Sequence, residues 1–260
     1  MRVISMVPSW TETLLRVNID VVGRTKFCVH PADRVASIPV VGGTKKVNWD
    51  RVRELAPDLL VLDQEENPRS IADRSPVPYH ATHVRAASDV AGELAALAAR
   101  LDGDPGLLAF AERWRYYTMG PPPQSRPPTE LPGVIEWIRR PTEQHDRFVY
   151  LIWRDPWMAV GPSTFIGSMF ARLGFGAAHG ELPGKYPAVD LAQFDRRRTV
   201  LLFSTEPYPF ARYRDVMVEL ADSGFSAALV DGEAYSWFGV RSLQFLEQEL
   251  ARVSAPRPPS

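Results

Sequence analysis

A run of four apolar residues, Leu59-Leu60-Val61-Leu62, sits between a helix-like segment and a polar loop. It lacks the polar alternation of a half-exposed strand. It therefore fits a strand buried on both faces, and such strands belong to parallel sheets covered by helices. The flanks agree. Asn48 is a good N-cap for a helix from Trp49 to Leu55, Asp50 stands in the first turn where the helix dipole favours negative charge, and Pro57 ends the helix. The theme recurs along the chain. Residues 2–7 are expected as a strand, followed by a helix capped by Ser9 or Thr11 that runs to about Val17. Further strands are expected at Val21-Val22-Gly23, within Val77 to Val84, at Phe148 to Trp153, at Thr199 to Phe203 and at Ala227 to Val230. Helices are expected from Ser163 or Thr164 to Leu173, over 210–222, and from Val240 to Val253. Strands alternating with helices predict parallel βα units and an α/β fold.

The middle of the chain breaks this rhythm. Ser88 or Asp89 caps a helix with Val90, Leu94, Leu97 and Leu101 on one face, and Asp104-Pro105 restarts a helix to about Thr118. Residues 120–132 hold six prolines and predict irregular chain, with a short helix expected over 133–140. The expected organisation is an N-terminal α/β lobe over 1–88, a helical connector with a Pro-rich insert over 89–145, and a C-terminal α/β lobe over 146–260, whose tail from Ser254 to Ser260 is expected to fray. A length of 260 residues suits two lobes of roughly 100 residues each.

Composition excludes several classes. Lys plus Arg number 30 and Asp plus Glu 31, so charge gives no reason to expect nucleic acid or an anionic membrane surface as partner. The single cysteine, Cys28, rules out a disulfide within the chain. No segment reaches the roughly 20 apolar residues of a membrane span. Pro8 cuts the first apolar run short, so the sequence as it stands is expected to be cytoplasmic, and periplasmic or extracellular if a leader has been trimmed. The G-x-S-x-G, H-E-x-x-H, Walker A and G-x-G-x-x-G patterns are absent from the sequence, and no catalytic residue is assigned. Cys28 and His30 share a loop, and His80 and His83 are three apart, but two ligands do not complete a zinc tetrahedron, so no metal site is assigned.

A set of short motifs occurs in a defined order: Pro8-Ser9-Trp10-Thr11-Glu12, Gly42-Gly43-Thr44-Lys45, Pro57-Asp58-Leu59-Leu60, Gln64-Glu65-Glu66-Asn67, Ile152-Trp153-Arg154-Asp155-Pro156-Trp157-Met158, Tyr186-Pro187-Ala188-Val189, Ser204-Thr205-Glu206-Pro207-Tyr208-Pro209-Phe210 and Asp231-Gly232-Glu233. Together they resemble the helical-backbone (class III) substrate-binding proteins of ABC importers, particularly the cobalamin-binding branch, over nearly all of the chain outside 119–145. The resemblance implies two Rossmann-like lobes with mainly parallel sheets, joined by a helical backbone, with a ligand cleft between the lobes and no catalysis. It implies no intrinsic cofactor. The ligand it implies is a metal chelate, cobalamin first, then haem or an iron–siderophore. Such ligands are large, flat and partly apolar, and aromatic faces grip them.

By position in the resemblance, Phe27, Trp153, Tyr186 and Trp237 offer ring faces to the ligand, with Trp157 and Phe238 beside them; the alternative for each ring is a place in the core. Gln64, Glu65, Glu66 and Asn67 follow a buried strand, and Arg154 and Glu206 follow strands in the same way. These polar groups can hydrogen-bond ligand substituents, or else are solvated loop charges. His30 is a candidate axial ligand to a chelated cobalt or iron. Family members dock on a permease through one surface carboxylate per lobe. Asp50 matches the first position; at the second, Ala192-Gln193 stands where an acidic residue is usual, with Asp190 and Asp195 nearby. The connector helix from Pro105 to Thr118 is also shorter, about 21 Å at 1.5 Å per residue, than the family's backbone helix. The expected partners are a small-molecule chelate and an ABC permease, for a chain that is monomeric and not membrane-embedded. Two other readings stay open: a cytosolic interaction or regulatory protein that kept the fold without a transporter, and an enzyme evolved on the same scaffold.

Overall fold

The apolar run forms strand β4 (Leu59–Asp63), in which every residue is buried. In the computed structural model, which describes residues 1–254, β4 lies parallel between β1 (Arg2–Ser5) and β5 (Tyr79–Thr82). Beyond β1 come β2 (Asp20–Thr25) and the edge strand β3 (Val40–Gly42), giving an all-parallel sheet of order β3-β2-β1-β4-β5. The chain winds from β1 to one side, then returns to wind to the other. The switch point of such a sheet opens a crevice beyond its carboxyl ends. Ile4, Met6, Val41, Val52, Leu60, Leu62 and Ile71 form a core on this sheet.

Connecting and flanking helices are α1 (Pro8–Arg16), α2 (Ala32–Val35), α3 (Trp49–Leu55), α4 (Arg69–Asp73), α5 (Val90–Arg100) and α6 (Pro105–Met119). Asn48 caps α3 as expected, its Oδ1 accepting from the Arg51 amide at 3.1 Å. Asp104 does the same for α6 through the Leu107 amide at 2.9 Å. The cap expected for α1 is corrected. Pro8 takes the first helical position, where its missing N–H costs nothing, so Val7 becomes the N-cap and Ser9 and Thr11 fall inside the helix. The Thr11 hydroxyl instead donates back to the Val7 carbonyl at 3.0 Å. Asp89 precedes α5, but its carboxylate accepts from the Arg85 and Ala86 amides, at 3.0 and 3.1 Å, rather than from the helix.

The second sheet has order β6-β10-β9-β7-β8. Strands β7 (Arg147–Trp153), β9 (Thr199–Ser204) and β10 (Ser226–Val230) run parallel. The edges β6 (Val134–Arg139) and β8 (Met158–Ala159) run antiparallel. The short helix expected over 133–140 is therefore a strand. Val134, Ile135, Trp137 and Ile138 are residue types that suit a pleated, half-buried surface, and the open edge of β10 supplies the hydrogen bonds. Helices α7 (Phe165–Arg172), α8 (Gly176–His179), α9 (Arg214–Asp222), α10 (Gly232–Ser236) and α11 (Val240–Ser254) accompany this sheet in the sequence. Thr164 caps α7 through the Gly167 amide at 3.0 Å.

The described residues divide into two compact units, 1–119 with 237–244, and 120–236 with 245–254. The residues expected as a separate connector are shared out: α5 and α6 belong to the first unit, the Pro-rich segment and β6 to the second. Residues 255–260 of the tail lie outside the described residues.

Three imidazoles sit where their surroundings disfavour the charged form. His179 stacks on Phe148 at 5.0 Å and its Nε2 donates to the Val160 carbonyl at 2.8 Å. His145 accepts from the Thr142 amide and meets the Ser226 hydroxyl. Burial lowers the pKa of His179, His145 and His80, with Arg139 adding to the effect at His145 and Arg100 at His80. A histidine whose folded pKa is depressed binds protons better when unfolded. Its stabilising contribution is present above the unfolded pKa of about 6.5 and is lost as pH falls through the folded value. His179→Phe keeps the stacking and removes the titration. The stability gap between wild type and this variant, measured by denaturant unfolding, is expected to narrow between about pH 7.5 and about pH 5.5; a gap independent of pH contradicts the assignment.

Candidate functional site

Ligands of open α/β sheets bind beyond the carboxyl ends of the strands, and both sheets place candidate residues there. In the first unit β4 ends at Asp63, a fully buried carboxylate. Its Oδ2 accepts from the Thr82 hydroxyl at 2.6 Å and the Val84 amide at 3.3 Å, and its Oδ1 from the Glu65 amide at 2.9 Å. The Thr82 oxygen in turn accepts from the Trp10 indole at 2.8 Å. Burial pushes the Asp63 pKa up, and these donors oppose the shift. Asn67 closes the loop from the other side. It accepts from the Asp63 amide at 3.0 Å and donates to the carbonyls of Thr44 and Met6 at 2.9 and 3.3 Å. The carboxyl ends of four strands are thus bonded through two side chains.

This frame presents Glu65 and Glu66. The Glu65 carboxylate lies 3.6 Å from the His83 Nε2. Burial raises the Glu66 pKa, the Asp63 and Glu65 charges add to it, and Lys45 opposes. Lys45 also donates to the Glu66 carbonyl. The loop after β2 carries Phe27, 49% exposed, with the Lys26 ammonium 5.0 Å from its ring centre. On the same loop His30 meets the Trp237 ring edge-on at 5.3 Å. Trp237 is only 7% exposed. Phe238, also buried, packs edge-on against Trp10 at 5.1 Å. Both rings are packing elements of the first unit.

In the second unit β7 ends at Trp153, 43% exposed and edge-on to Tyr208 at 5.3 Å. Arg154 follows, its Nε 3.9 Å from the Asp155 carboxylate. Trp157 turns inward, parallel to Phe210 at 6.1 Å and edge-on to Phe203, and so joins the core against β9. Past β9, Glu206 is held at three points. The Ser236 hydroxyl donates to its carboxylate at 2.8 Å, the Ser204 hydroxyl donates to its carbonyl at 2.6 Å, and its own amide donates to the Ser204 oxygen at 3.4 Å. Gly232 leaves room for this turn, since a Cβ there would collide with the Ser204 Oγ and lie 2.9 Å from the Glu206 Cγ. Tyr186, 43% exposed, lies on a segment paired along β8, where Lys185 and Pro187 accept from the Gly161 and Ala159 amides at 2.7 and 3.0 Å.

The remaining candidates are accounted for locally. The Asp50 carboxylate is 89% exposed and accepts from Arg53 at 2.8 Å. Asp190, beside Ala192, caps its own turn through the Ala192 amide at 2.9 Å. The buried Cys28 sulfur contacts the hydroxyls of Thr11 and Thr25, and burial pushes its thiol pKa up, away from reactivity. No group of three or more His, Cys, Asp or Glu among the described residues could hold a metal ion. No helix among them is long and apolar enough to cross a membrane. Sequence reasoning missed Asp63 and Ser236. An acidic residue closing an otherwise apolar strand was the available signal for the first.

No family model and no curated protein matches the chain. Solved structures do match its fold. The periplasmic vitamin B12 binding protein BtuF of Vibrio cholerae superposes with TM-score 0.64 at 15% identity, covering 96% of this chain and 95% of its own. The periplasmic heme-binding protein BhuT, in complex with two hemes, gives 0.70 at 18% identity over 98% and 99%. IsdE of S. aureus complexed with heme gives 0.69 at 10% identity over 98% and 99%. The chain thus has the two-unit α/β fold of these binding proteins across its length.

Asp63 supplies the testable part of this geometry. Asp63→Ala strips the acceptor from one hydroxyl and two backbone amides. It is expected to cost about 2 kcal/mol or more in denaturant unfolding, with Asp63→Asn, which keeps one acceptor oxygen, milder. Equal, small losses in both variants contradict the role given to this carboxylate.

Proposed function

We propose that this chain is a non-enzymatic binding protein for a flat metal chelate, a cobalamin-like corrinoid first and haem or an iron–siderophore next, serving as the substrate-binding component of an ABC importer. The observation that carries the reading is the exposure of ring faces at the sheet ends. Phe27 stands just past the end of β2 and Trp153 ends β7, and each keeps close to half of its surface open. The whole-length likeness to proteins named for vitamin B12 and heme supports the same ligand class.

In this reading Phe27, Trp153 and Tyr186 cover the chelate, while Glu65, Glu66, Arg154 and Glu206 hydrogen-bond its polar substituents. His30 is the side chain assigned to the chelated metal. Trp237 supports His30 from behind, and Trp157 and Phe238 serve the core. Asp50 is the surface carboxylate offered to a permease, and a protein in that role acts on the outer side of the membrane the permease spans.

Magnitudes follow from area. A half-open aromatic ring offers about 100 Å² for burial, which at about 25 cal/mol per Å² is at most ~2.5 kcal/mol. Ordering costs reduce this. Phe27→Ala and Trp153→Ala are each expected to weaken binding of cyanocobalamin or haem by about tenfold, as measured by calorimetric titration, with little change in unfolding midpoint. Wild-type affinity in both variants removes the proposed ring faces.

A further inference from the structure

Glu12 and Arg241 lie 229 residues apart in sequence and meet in the first unit. The Arg241 Nε and Nη2 donate to the two carboxylate oxygens of Glu12, both at 2.9 Å. The Glu12 side chain is only 5% exposed and that of Arg241 28%. Two parallel bonds fix the plane of a guanidinium as well as its position. Burying such a pair is a weak source of net stability compared with apolar packing, because both ions give up their hydration. What this pair holds is visible on its far side. The Arg241 guanidinium carbon lies 5.4 Å from the Trp237 ring centre, and the Trp237 ring meets His30 edge-on at 5.3 Å.

The turn that carries Trp237 is pinned independently. The Val240 amide donates to the Thr13 hydroxyl at 3.0 Å, and the Trp114 indole donates to the Gly239 carbonyl at 3.0 Å. Gly239 has a φ of +107°, and a Cβ there would run into the Thr13 Oγ1. Backbone and side chain of the 237–241 segment are therefore both registered against α1. The order of contacts runs from Glu12 to Arg241, to Trp237, to His30, and ends on the loop that also carries Phe27.

We infer that Glu12 and Arg241 are positioning residues for chelate binding, acting through Trp237 to hold His30 and its loop in place beyond the end of β2. The inference rests on the chelate reading given above. It assigns a binding role to two residues through the side chains they hold rather than through contact with the ligand.

The test separates positioning from structure by charge balance. Arg241→Met leaves Glu12 as a buried unpaired carboxylate, and the protein is expected to lose stability. The double variant Glu12→Gln with Arg241→Met removes both charges and is expected to recover most of that loss. It does not restore the guanidinium over Trp237. Two readouts are then taken on the double variant and the wild type. One is the ligand-free proton and carbon resonances of the His30 imidazole, assigned by their loss in His30→Gln; the other is affinity for cyanocobalamin and for haem. The expected result is a displaced His30 resonance, because its ring-current neighbour has moved, with affinity about fivefold or more weaker for the ligand that wild type binds. A wild-type His30 resonance, or wild-type affinity, in the stable double variant overturns the inference. If the wild-type protein takes up neither probe, the chelate reading falls, and with it the binding role. The imidazole resonance still decides by itself whether the pair positions His30.

Discussion

The Asp63 carboxylate lies fully buried at the end of β4, an inner strand of the first unit's sheet, and the loops of the candidate site are tied to it and to its neighbour Asn67. A carboxylate in that place is stable only if its oxygens are satisfied, and three donors from two segments satisfy them. The requirement works in both directions. Satisfying Asp63 holds the Glu65 backbone, the end of β5 and, through Thr82, the Trp10 indole. The ordered polar turn that presents Glu65 and Glu66 is a consequence of burying one acid correctly.

The second unit solves the same problem with neutral groups. Ser204 ends β9 fully buried, close enough to the Tyr150 hydroxyl to share a hydrogen bond at 3.0 Å, and organises the Glu206 turn through backbone contacts. The Gly232 amide donates to Thr205 at 2.9 Å, tying the start of α10 to the same turn. Charge is thus presented at the sheet ends by turns in which several backbone groups are already paired.

Much of the fold was legible because periodicity and caps are local signals. The buried run at Leu59, the Asn48 cap and the restart at Asp104-Pro105 each depend on a few neighbouring residues, and each appears where expected. Two misreadings show what was not local. At 133–140 the residue types suited either a helix or a strand, and pairing with β10, almost a hundred residues later, decided for the strand. At Ser9 a favourable cap residue lost to the proline before it. In the candidate site, the ring-bearing positions were legible but their exposure was not. Trp153 stays open while Trp157, four residues on, packs against Phe210. No local pattern separates the two, because the difference lies in the reversal of the chain into β8. The pairing of Glu12 with Arg241 is the extreme case, since nothing near either residue points to the other.

Both units therefore offer pre-built polar turns and half-open rings beyond their strand ends, and the proposed ligand is a flat chelate that uses both features. The most direct test is an equilibrium absorbance titration of the wild-type protein with cyanocobalamin, aquocobalamin and haem, each alone. The account predicts that the bands of at least one of these chelates shift and saturate near one equivalent at micromolar concentration. Unchanged spectra for all three, with the protein folded throughout, would contradict it.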